Sequence, residues 1–540
     1  MRLSRVGITN HSRVQDLAID VRRHAVIVGA NDVGKSSILR MLDLLLGSST
    51  AGLYRALTPA DLRDDEQQLV VDAIWTDFTD ENRRVFPSEI SIAPDGIGES
   101  LWVQMVVEVD PDDDEAVTVR RRFPEGGHER SPSREQLEAF GWRFLKATRG
   151  TSMIEGAASP VRTLLAAADL GSDGDGLKTI LNQFNEKLAE NKSVGELLGR
   201  VAGHLSRAMP RPVKKGDFAV RSVTDPSSDV LQDVTIFLNR EGDQVSLMEQ
   251  SEGVRQLMSM ALFDLAEGTA NVLAIDEPEI HLHPTSQRTA ADFLSGEGNQ
   301  KIIVTHSPYI LHRFEPAEVI AVDRYGHCHQ IHDKKLSRVD KLRAHWWSPR
   351  LLEALTARFA VLVEGGADRV SVEAVARELR VDLDRIGAVV VELDGAEKFK
   401  NVFPLLGPEG FGPTLLGLVD KKESPSWVNA FRGKPKNIID HKIFISEDDL
   451  EDEYVTAFGG PAAARALVDG GLCREQGILQ ASEVNAIEDI SAQAVANFCR
   501  TNNRKVEAAT CISAALNADT AAKIGSVARL VLSLEGMSRQ

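Results

Sequence analysis

The chain has 540 residues, 43% of them hydrophobic and 26% charged, which is typical of a globular protein with more than one domain. Its net charge of −18 excludes a generally basic surface, so any site for nucleic acid would have to be local. The four cysteines form no C-x-x-C pair, and no segment has the character of a signal peptide or a membrane span. We therefore expect a reduced, cytoplasmic protein, and the lack of spans disfavours a membrane transporter.

The first predicted elements are three strands, at residues 3–9, 16–21 and 25–28, and the third leads into a glycine-rich loop. This loop, Gly29-Ala30-Asn31-Asp32-Val33-Gly34-Lys35-Ser36, fits the phosphate-binding pattern G-x-x-x-x-G-K-S/T between a strand and a helix. The backbone N–H groups and the positive end of the helix bind phosphate, while Lys35 would reach the β- and γ-phosphates and Ser36 would ligate Mg²⁺. A chance match is the alternative. Otherwise the sequence predicts a site for ATP or GTP, formed by Gly29, Asn31, Gly34, Lys35, Ser36 and Ser37.

The pattern changes twice after this loop. Alternating hydrophobic residues predict more strands between residues 68 and 109, followed by a solvated turn at residues 110–115. Helical spacing predicts a helical insertion over about residues 132–210. Within it, the Asp/Gly-rich segment 171–176 lacks the spacing and the terminal Glu of a calcium loop, so a flexible linker is predicted there.

Two further hydrophobic strands are predicted at residues 272–275 and 302–304. The first ends in Asp276-Glu277, a pair that is common in α/β proteins. After a phosphate-binding loop, it predicts that Asp276 holds the Mg²⁺ and that Glu277 polarises the attacking water. The second strand is followed by Thr305-His306. Earlier in the chain, Ser251-Glu252-Gly253 opens a predicted helix whose N-terminus could face a phosphate, or could simply be capped by Ser251.

These motifs resemble those of ABC-type ATPases. The resemblance implies that Ser251 and Gly253 belong to the signature motif, which contacts the nucleotide held by a second protomer, so that ATP lies in a dimer interface. It also implies that His306 is a switch histidine at the γ-phosphate and that residues 278–284 form the D-loop. In this loop a structural role for His281 and His283 outweighs a zinc site, because no further ligand accompanies them.

A second α/β unit is predicted from about residue 359. Its hydrophobic segments, residues 360–363, 388–391 and 415–419, alternate with helical stretches, which is the pattern of a parallel sheet. The first segment is followed by Glu364-Gly365-Gly366-Ala367-Asp368, and the third by Asp420. These carboxylates would meet at the carboxyl edge of the sheet, where such sheets bind ligands, and their repulsion would favour a divalent cation between them.

This unit resembles a TOPRIM domain. Together with the ABC-type half, it makes nearly the whole chain similar to the OLD (overcoming lysogenization defect) family of ATP-dependent endonucleases. The resemblance implies that Glu364, Asp368, Asp420 and Glu451 are metal ligands and that Glu364 also accepts a proton. It further implies that Lys505 stabilises the charge of the transition state.

The D-x-D element departs from the family pattern, because it reads Asp420-Lys421-Lys422. Glu423 would have to replace the second acid as a metal ligand, and the cationic Lys422 would weaken Mg²⁺ binding. The acidic stretch at residues 447–453, which contains Glu451, could equally be a solvated face. Nearby cations could bind phosphates or be scattered surface charges; they are Arg432, Lys434 and Lys436.

The predicted fold class is α/β. An ABC-type P-loop ATPase domain (residues 1–345), with a helical insertion for dimerisation, is followed by a TOPRIM-like parallel-sheet domain (346–456) and a helical C-terminal region (457–540). Two functions remain open. The first is an ATP-dependent endonuclease that cuts DNA with Mg²⁺ or Mn²⁺, acts as a homodimer or higher even oligomer and serves in phage defence or DNA repair. The second is an ATP-driven sensor or scaffold with an inactive TOPRIM-like domain, which Lys422 and the net charge favour.

Overall fold

The computed structural model describes residues 1–92, 98–125, 130–145, 173–193, 195–196, 237–240, 243–246, 249, 251–265, 271–296, 298–331, 349–407, 410–431, 433–501 and 504–539. The chain divides into two compact units. The first comprises Met1–Phe144, Asn271–Glu279 and Gln287–Gln540, and the second comprises Leu145–Ala270 and Ile280–Ser286. No α-helix among the described residues has both the length and the hydrophobicity needed to cross a membrane.

Strands and helices alternate along much of the chain. The strands in the described residues are β1 Arg2–Thr9, β2 Leu17–Asp20, β3 Ala25–Gly29, β4 Leu69–Thr76, β5 Ile90–Ile92, β6 Glu99–Asp110, β7 Asp113–Arg122, β8 Trp142–Leu145, β9 Phe237–Arg240, β10 Asp243–Ser246, β11 Val272–Asp276, β12 Gln300–Val304, β13 Val319–Val322, β14 Cys328–Gln330, β15 Phe359–Val363, β16 Ala388–Glu392, β17 Thr414–Asp420 and β18 Ile443–Ser446. The α-helices are α1 Lys35–Gly47, α2 Thr50–Ala56, α3 Asp80–Val85, α4 Arg134–Ala139, α5 Asp173–Glu190, α6 Glu252–Leu265, α7 Pro284–Leu294, α8 Pro308–Leu311, α9 Pro349–Thr356, α10 Gly366–Glu378, α11 Leu383–Ile386, α12 Phe399–Leu406, α13 Ser424–Ala430, α14 Pro435–His441, α15 Leu450–Phe458, α16 Gly460–Asp469, α17 Glu475–Ala481, α18 Ala492–Arg500, α19 Lys505–Ala514, α20 Ala518–Lys523 and α21 Gly525–Ser538.

The N-terminal part of the first unit contains an antiparallel sheet. Its strand order is β2-β1-β4-β6-β5, and β7 also pairs with β6. Alternate residues of β4 are buried, from Leu69 to Trp75, because one face of the sheet lies on the hydrophobic core. The strands predicted at residues 3–9, 16–21 and 25–28 are confirmed as β1, β2 and β3. The predicted solvated turn at residues 110–115 is confirmed only at residues 111–112, the exposed connection between β6 and β7, because the strands extend to Asp110 and from Asp113.

A second sheet carries the nucleotide-binding motifs. Its order is β14-β13-β3-β12-β11-β8, with β13, β3, β12 and β11 parallel. Every residue of β3 and β12 is buried, as expected for central strands covered on both faces. The carboxyl ends of β3, β11 and β12 therefore lie side by side at one edge, and each end leads directly into a predicted motif.

The helix that follows β3, α1, is fixed at its C-terminal end. At its C-terminus, Arg121 of β7 donates Nη1 hydrogen bonds to the carbonyls of Leu45 at 3.0 Å and Ser48 at 2.8 Å. Such terminal carbonyls have no partner within a helix, so the guanidinium satisfies them. Burial lowers the pKa of Arg121 to about 10, which leaves the side chain charged at neutral pH.

The C-terminal part of the first unit is built on a third sheet. All of its neighbouring strands are parallel, in the order β16-β15-β17-β18. The helices from α15 to α21 share one hydrophobic core with this sheet. The parallel direction of the strands places the residues after β15, β16 and β17 at the same edge.

One feature joins this sheet to the rest of the first unit, and another closes the sheet on its own last helix. Helix α9 packs against β3 and α8 on one side and against β15 and β16 on the other. At the start of β15, Arg358 donates to the carbonyls of Ser538 at 2.9 Å and Met537 at 3.2 Å, at the end of α21. The last helix is thereby tied to the first strand of the sheet.

One prediction about the insertion is wrong. The segment 171–176 is not wholly a linker, because α5 begins at Asp173. Acidic residues at a helix N-terminus are favourable, and the hydrophobic period that starts at Leu177 continues through the helix, which outweighs the cost of two glycines. Much of the predicted insertion at 132–210, and the predicted domain boundary at residues 345 and 346, lie outside the described residues.

Candidate functional site

The phosphate-binding loop has a backbone that its glycines make possible. Gly34 has a φ of +89°, and a Cβ there would lie 2.6 Å from the carbonyl oxygen of Arg13. A Cβ on Gly29 would lie 2.3 Å from the carbonyl oxygen of Val322. Both positions therefore require glycine. Asn31 is exposed at the tip of the loop.

Lys35 is buried at the first position of α1, although it carries a charge. Its Nζ donates to the carbonyl of Ala30 at 2.5 Å. Burial lowers the pKa of Lys35 to about 8, and the nearby Glu277, Asp276 and Glu279 oppose that shift. A desolvated ammonium that meets mainly a neutral carbonyl is suited to a phosphate, which would supply the missing negative charge.

The predicted Mg²⁺ ligands of the nucleotide site are adjacent. The Ser36 hydroxyl donates to Asp276 Oδ1 at 3.0 Å, which joins the start of α1 to the end of β11. Ser37 is half-buried in the first turn of the helix. One hydroxyl and one carboxylate at this position form the oxygen pair that holds Mg²⁺ in P-loop proteins.

Glu277 and His306 face each other beside this pair. Glu277 Oε1 lies 3.8 Å from His306 Nε2. The backbone of Glu277 has a φ of +49°, an uncommon conformation that its N–H bond to the carbonyl of Val304, at 2.8 Å, helps to hold. Burial, with a smaller contribution from Lys35, lowers the pKa of His306 to about 4. The imidazole is therefore neutral at pH 7 and can donate one hydrogen bond.

Glu279 is a residue of this site that the sequence reasoning did not select. Its carboxylate accepts hydrogen bonds from the Thr305 hydroxyl at 2.8 Å and from the backbone N–H of His306 at 2.5 Å. Burial raises the pKa of Glu279, and hydrogen bonds from His306 and Thr305 oppose this shift. The acid three positions after Asp276 was visible in the sequence, but nothing there indicated a bond to residues 26 and 27 positions further on.

The signature-like segment lies in the second unit. Helix α6 begins at Glu252, directly after Ser251, as predicted. A Cβ on Gly253 would lie 2.7 Å from the carbonyl oxygen of His281, so only glycine fits there. His281 lies 3.4 Å from Glu252, and His283 lies 3.1 Å from the Thr285 hydroxyl, so each histidine has a protein partner.

The predicted carboxylates of the third sheet are brought together at its carboxyl edge. Glu364 follows β15 and accepts a hydrogen bond from the backbone N–H of Asp420 at 3.0 Å. Asp368, in the first turn of α10, accepts from the N–H of Gly365 at 2.8 Å. Glu451 is 3% exposed in the first turn of α15, and its Oε1 lies 3.1 Å from Lys505 Nζ.

These groups interact electrostatically. Burial raises the pKa of Asp420 to about 8, and Glu364, Asp368 and Glu451 add to the shift. Burial likewise raises the pKa of Asp368 to about 7, with contributions from Glu364 and Glu451. Burial alone would lower the pKa of Lys505, but Glu451, Asp420 and Asp449 together outweigh it, so the pKa of Lys505 is raised. Carboxyl groups that raise one another's pKa values are the donor set that a divalent cation stabilises.

The arrangement of these side chains is not a closed metal site. Among the described residues, no group of three His, Cys, Asp or Glu side chains is placed so that it could hold a metal ion. Glu364, Asp368 and Glu451 instead each have a protein partner. The donor chemistry therefore fits a divalent cation, whereas ligation would require these side chains to move closer together.

Lys422, which stands where D-x-D has its second acid, points into solvent. The Lys422 side chain is 89% exposed, and its Nζ lies 3.7 Å from Glu423 Oε1. Glu423 is 39% exposed and raises the pKa of Glu364, after burial, so it lies close to the carboxylates. Lys434 and Lys436 are exposed at the start of α14, and Arg432 lies outside the described residues.

Comparisons with known proteins match both halves of the chain. A family model described as "AAA domain, putative AbiEii toxin, Type IV TA system" matches residues 25–312. A second model, "Overcoming lysogenization defect protein-like, TOPRIM domain", matches residues 355–421, which include Glu364, Asp368 and Asp420.

Individual relatives extend over most of the chain. An OLD nuclease of Thermus scotoductus is 24% identical over 430 residues, which cover 73% of this chain and 77% of the relative. Endonuclease GajA of Bacillus cereus is 19% identical over 434 residues, covering 73% and 71%. The solved C-terminal region of the Burkholderia pseudomallei OLD protein is 19% identical, covers 34% of this chain and 98% of its own, and has a TM-score of 0.28.

Proposed function

Since this chain belongs to the OLD (overcoming lysogenization defect) family and joins an AAA ATPase domain to a TOPRIM domain, we propose that it is an ATP-dependent DNA endonuclease. ATP and a divalent metal ion are the cofactors that these two domains use. Mg²⁺ is the cation we propose for both sites, with Mn²⁺ as a substitute in the TOPRIM site. The family resemblance also leads us to propose a role in phage defence or DNA repair.

In the ATPase site, the residues that follow three parallel strands have different roles. Lys35 neutralises charge on the β- and γ-phosphates, and Ser36 and Asp276 would hold Mg²⁺. Glu277 orients the attacking water, and the neutral His306 donates a hydrogen bond to the γ-phosphate. The positive φ of Glu277 supports this assignment, because strained backbone is kept where it positions a reacting group.

In the TOPRIM site, Glu364, Asp368, Asp420 and Glu451 would hold the metal, with Glu423 at its rim. A bound divalent cation supplies charge neutralisation at the phosphodiester and makes an attacking water more acidic. Glu364 accepts the proton of that water, and Lys505 stabilises the extra negative charge of the transition state.

One observation carries the nuclease proposal. Four carboxyl groups, which follow β15 or lie in α10, β17 and α15, come together at one sheet edge; burial and neighbouring carboxylates raise the pKa values of Glu364, Asp368 and Asp420, and Lys505 lies beside Glu451. A structural role would not require such repulsion, because hydrophobic residues would stabilise the same position better. The alternative, an inactive TOPRIM-like domain, rests on the missing second acid of D-x-D and on the net charge, whereas the cation of Lys422 points into solvent.

We propose that the protein acts as a homodimer, so that ATP links two protomers. The start of α6, at Ser251 and Gly253, would face the nucleotide held by the other protomer. Helix α5 supports an interface in the insertion, because Leu177, Ile180 and Phe184 form an exposed hydrophobic row at helical spacing. ATP binding would close the dimer and gate the cutting of DNA, and hydrolysis would reset it.

Plasmid nicking tests the proposal. The wild-type protein, Glu364→Ala and Lys35→Ala are each incubated with supercoiled DNA and Mg²⁺ or Mn²⁺, with and without ATP. We expect nicking by the wild type, none by Glu364→Ala, and loss of the ATP effect in Lys35→Ala. ATP hydrolysis by Glu364→Ala should equal that of the wild type, which shows that the variant is folded. Absence of nicking under every metal and nucleotide condition would contradict the nuclease assignment and leave the ATPase intact.

A further inference from the structure

Lys421 and Lys422 follow β17, next to the carboxylates in the chain, but their side chains project into solvent instead of joining those carboxylates. The lysine that acts on Glu364 and Asp368, and lowers their pKa values, is Lys505. Lys422 instead has an 89% exposed side chain. Lys421 is exposed as well. Two cations therefore project into solvent from the strand end that carries Asp420.

A second pair of lysines follows the other neighbour of β15. Lys398 and Lys400 lie at the start of α12, shortly after β16, and Lys400 is exposed. Because β16 and β17 flank β15 in a parallel sheet, both lysine pairs follow strands that end at the same sheet edge as Glu364. Lysines therefore follow both of the strands that neighbour β15.

One aromatic contact joins the two segments that carry these lysine pairs. The Trp427 indole N–H, from α13, donates to the carbonyl of Ala396 at 3.0 Å. The Trp427 ring also stacks on Phe399, with centroids 4.1 Å apart and planes inclined by 13°. Trp427 is fully buried, so the segments that carry Lys398, Lys400, Lys421 and Lys422 are held together rather than free to drift apart.

The local charge contrasts with that of the whole chain. Residues 396–442 contain eight Lys and Arg against five Asp and Glu, whereas the complete chain carries a net charge of −18. A cationic region in an acidic protein is needed wherever a polyanion is to approach, because the overall field repels it. The region begins at the edge where the carboxylates would act.

We propose that Lys400, Lys421 and Lys422 form a phosphate-contact surface, which holds the DNA backbone beside the TOPRIM carboxylates. The proposal rests on the endonuclease function proposed above. The proposal gives the departure from D-x-D a different meaning. Position 422 holds a residue that contacts the substrate, and is not merely a position from which a metal ligand has been lost. Lysine suits this role, since a point charge on a flexible stem binds phosphate without reading the base sequence.

DNA binding measured without divalent cations tests this surface directly. The full chain is titrated into a labelled DNA duplex at several salt concentrations, using fluorescence anisotropy. We expect the double variant Lys421→Gln/Lys422→Gln to bind about 10-fold more weakly and to reduce the slope of log K against log salt by nearly 2, about 0.9 for each lost phosphate contact. The matched control is Arg55→Gln/Arg84→Gln, which removes two exposed charges from α2 and α3 and should change neither value. An unchanged slope in the lysine variant would overturn the proposal.

The substitution Lys422→Asp separates the two interpretations of this position, because it recreates the D-x-D element. If Lys422 contacts DNA, the variant binds and nicks DNA less well than the wild type. If position 422 has instead only lost a metal ligand, nicking increases, and the proposed phosphate-contact surface is refuted. Lys421→Arg/Lys422→Arg should behave as the wild type, since charge is retained.

The two proposals fail in different ways. Wild-type protein that nicks DNA, with a salt slope that the lysine variants do not change, would refute the surface alone. Wild-type protein that binds DNA through these lysines, yet nicks under no condition, would refute the nuclease function alone.

Discussion

Glu279 provides the sharpest test of the ATPase geometry, because it touches the backbone that carries His306. Its carboxylate accepts one hydrogen bond from the Thr305 hydroxyl at 2.8 Å and one from the His306 N–H at 2.5 Å. Hydrogen bonds to a charged acceptor contribute about 1.5–3 kcal/mol each. In Glu279→Ala both donors lose their partner, so the peptide that places the imidazole is no longer fixed.

The expected effect is on turnover rather than on binding. If the loss of one such bond is felt in the transition state, kcat for ATP hydrolysis falls about 10- to 100-fold, at about 1.4 kcal/mol for each factor of ten. The dissociation constant for ATP should stay within about threefold, because the hydrogen bonds of Glu279 go to Thr305 and His306, whereas Lys35 and the loop backbone are the groups that would contact the phosphates. Steady-state hydrolysis and equilibrium binding of a fluorescent ATP analogue measure the two quantities.

Two variants control for misfolding. Glu279→Gln should retain most of the activity, because its amide oxygen can accept from His306 while its NH₂ donates to the Thr305 hydroxyl. Glu318→Ala removes another buried carboxyl, which accepts from the N–H of Glu315 at 2.9 Å away from the nucleotide motifs, and should leave kcat unchanged. Wild-type turnover by a folded Glu279→Ala protein, or equal loss in the Gln and Ala variants, would refute this reasoning.

Three further predictions concern stability and the TOPRIM site. Arg121→Met leaves the last carbonyls of α1 unsatisfied and should lower the free energy of unfolding by about 2–4 kcal/mol in urea titrations, whereas exposed Arg120→Met should change it by less than about 0.5 kcal/mol. Burial lowers the pKa of His24 to about 4, so between pH 6.5 and 4 the unfolded chain binds a proton that the folded chain does not. Stability present above pH 6.5 is therefore lost as the pH falls, by about 3 kcal/mol, and unfolding curves of His24→Gln should show a smaller loss. Lys505→Met leaves Glu451 without its cation and should reduce nicking. It should also lower the free energy of unfolding by about 1–2 kcal/mol, a modest figure because Lys505 is half exposed. Unchanged nicking would exclude Lys505 from the site.

Features encoded by neighbouring residues could be predicted from the sequence. The phosphate-binding loop between β3 and α1 is local, because its glycines, Lys35 and Ser36 are consecutive. The strands of the third sheet were predictable for a similar reason, since each is a short hydrophobic run between helical stretches. The parallel arrangement then placed Glu364 and Asp420 at one edge.

Features that depend on long-range contacts were beyond the sequence. Glu279 acts through residues far along the chain, and the direction of Lys422 depends on how β17 ends. The helix that begins at Asp173 was hidden by its own glycines, which are typical of loops. The common core of the third sheet and the C-terminal helices also required the tertiary structure.

The bond from Arg358 to the end of α21 has a consequence for the order in which the two parts of the first unit can be completed during synthesis. The nucleotide motifs are all synthesised by residue 306, whereas the TOPRIM sheet begins at Phe359 and its core is closed only by α21. Domains generally fold as they emerge from the ribosome, so the ATPase motifs can form while the other core still lacks its last helix. Lys505 and α21 reach the carboxylates of β15 last. Synthesis itself thus delays the TOPRIM site until the nucleotide motifs, which we propose regulate it, have already been made.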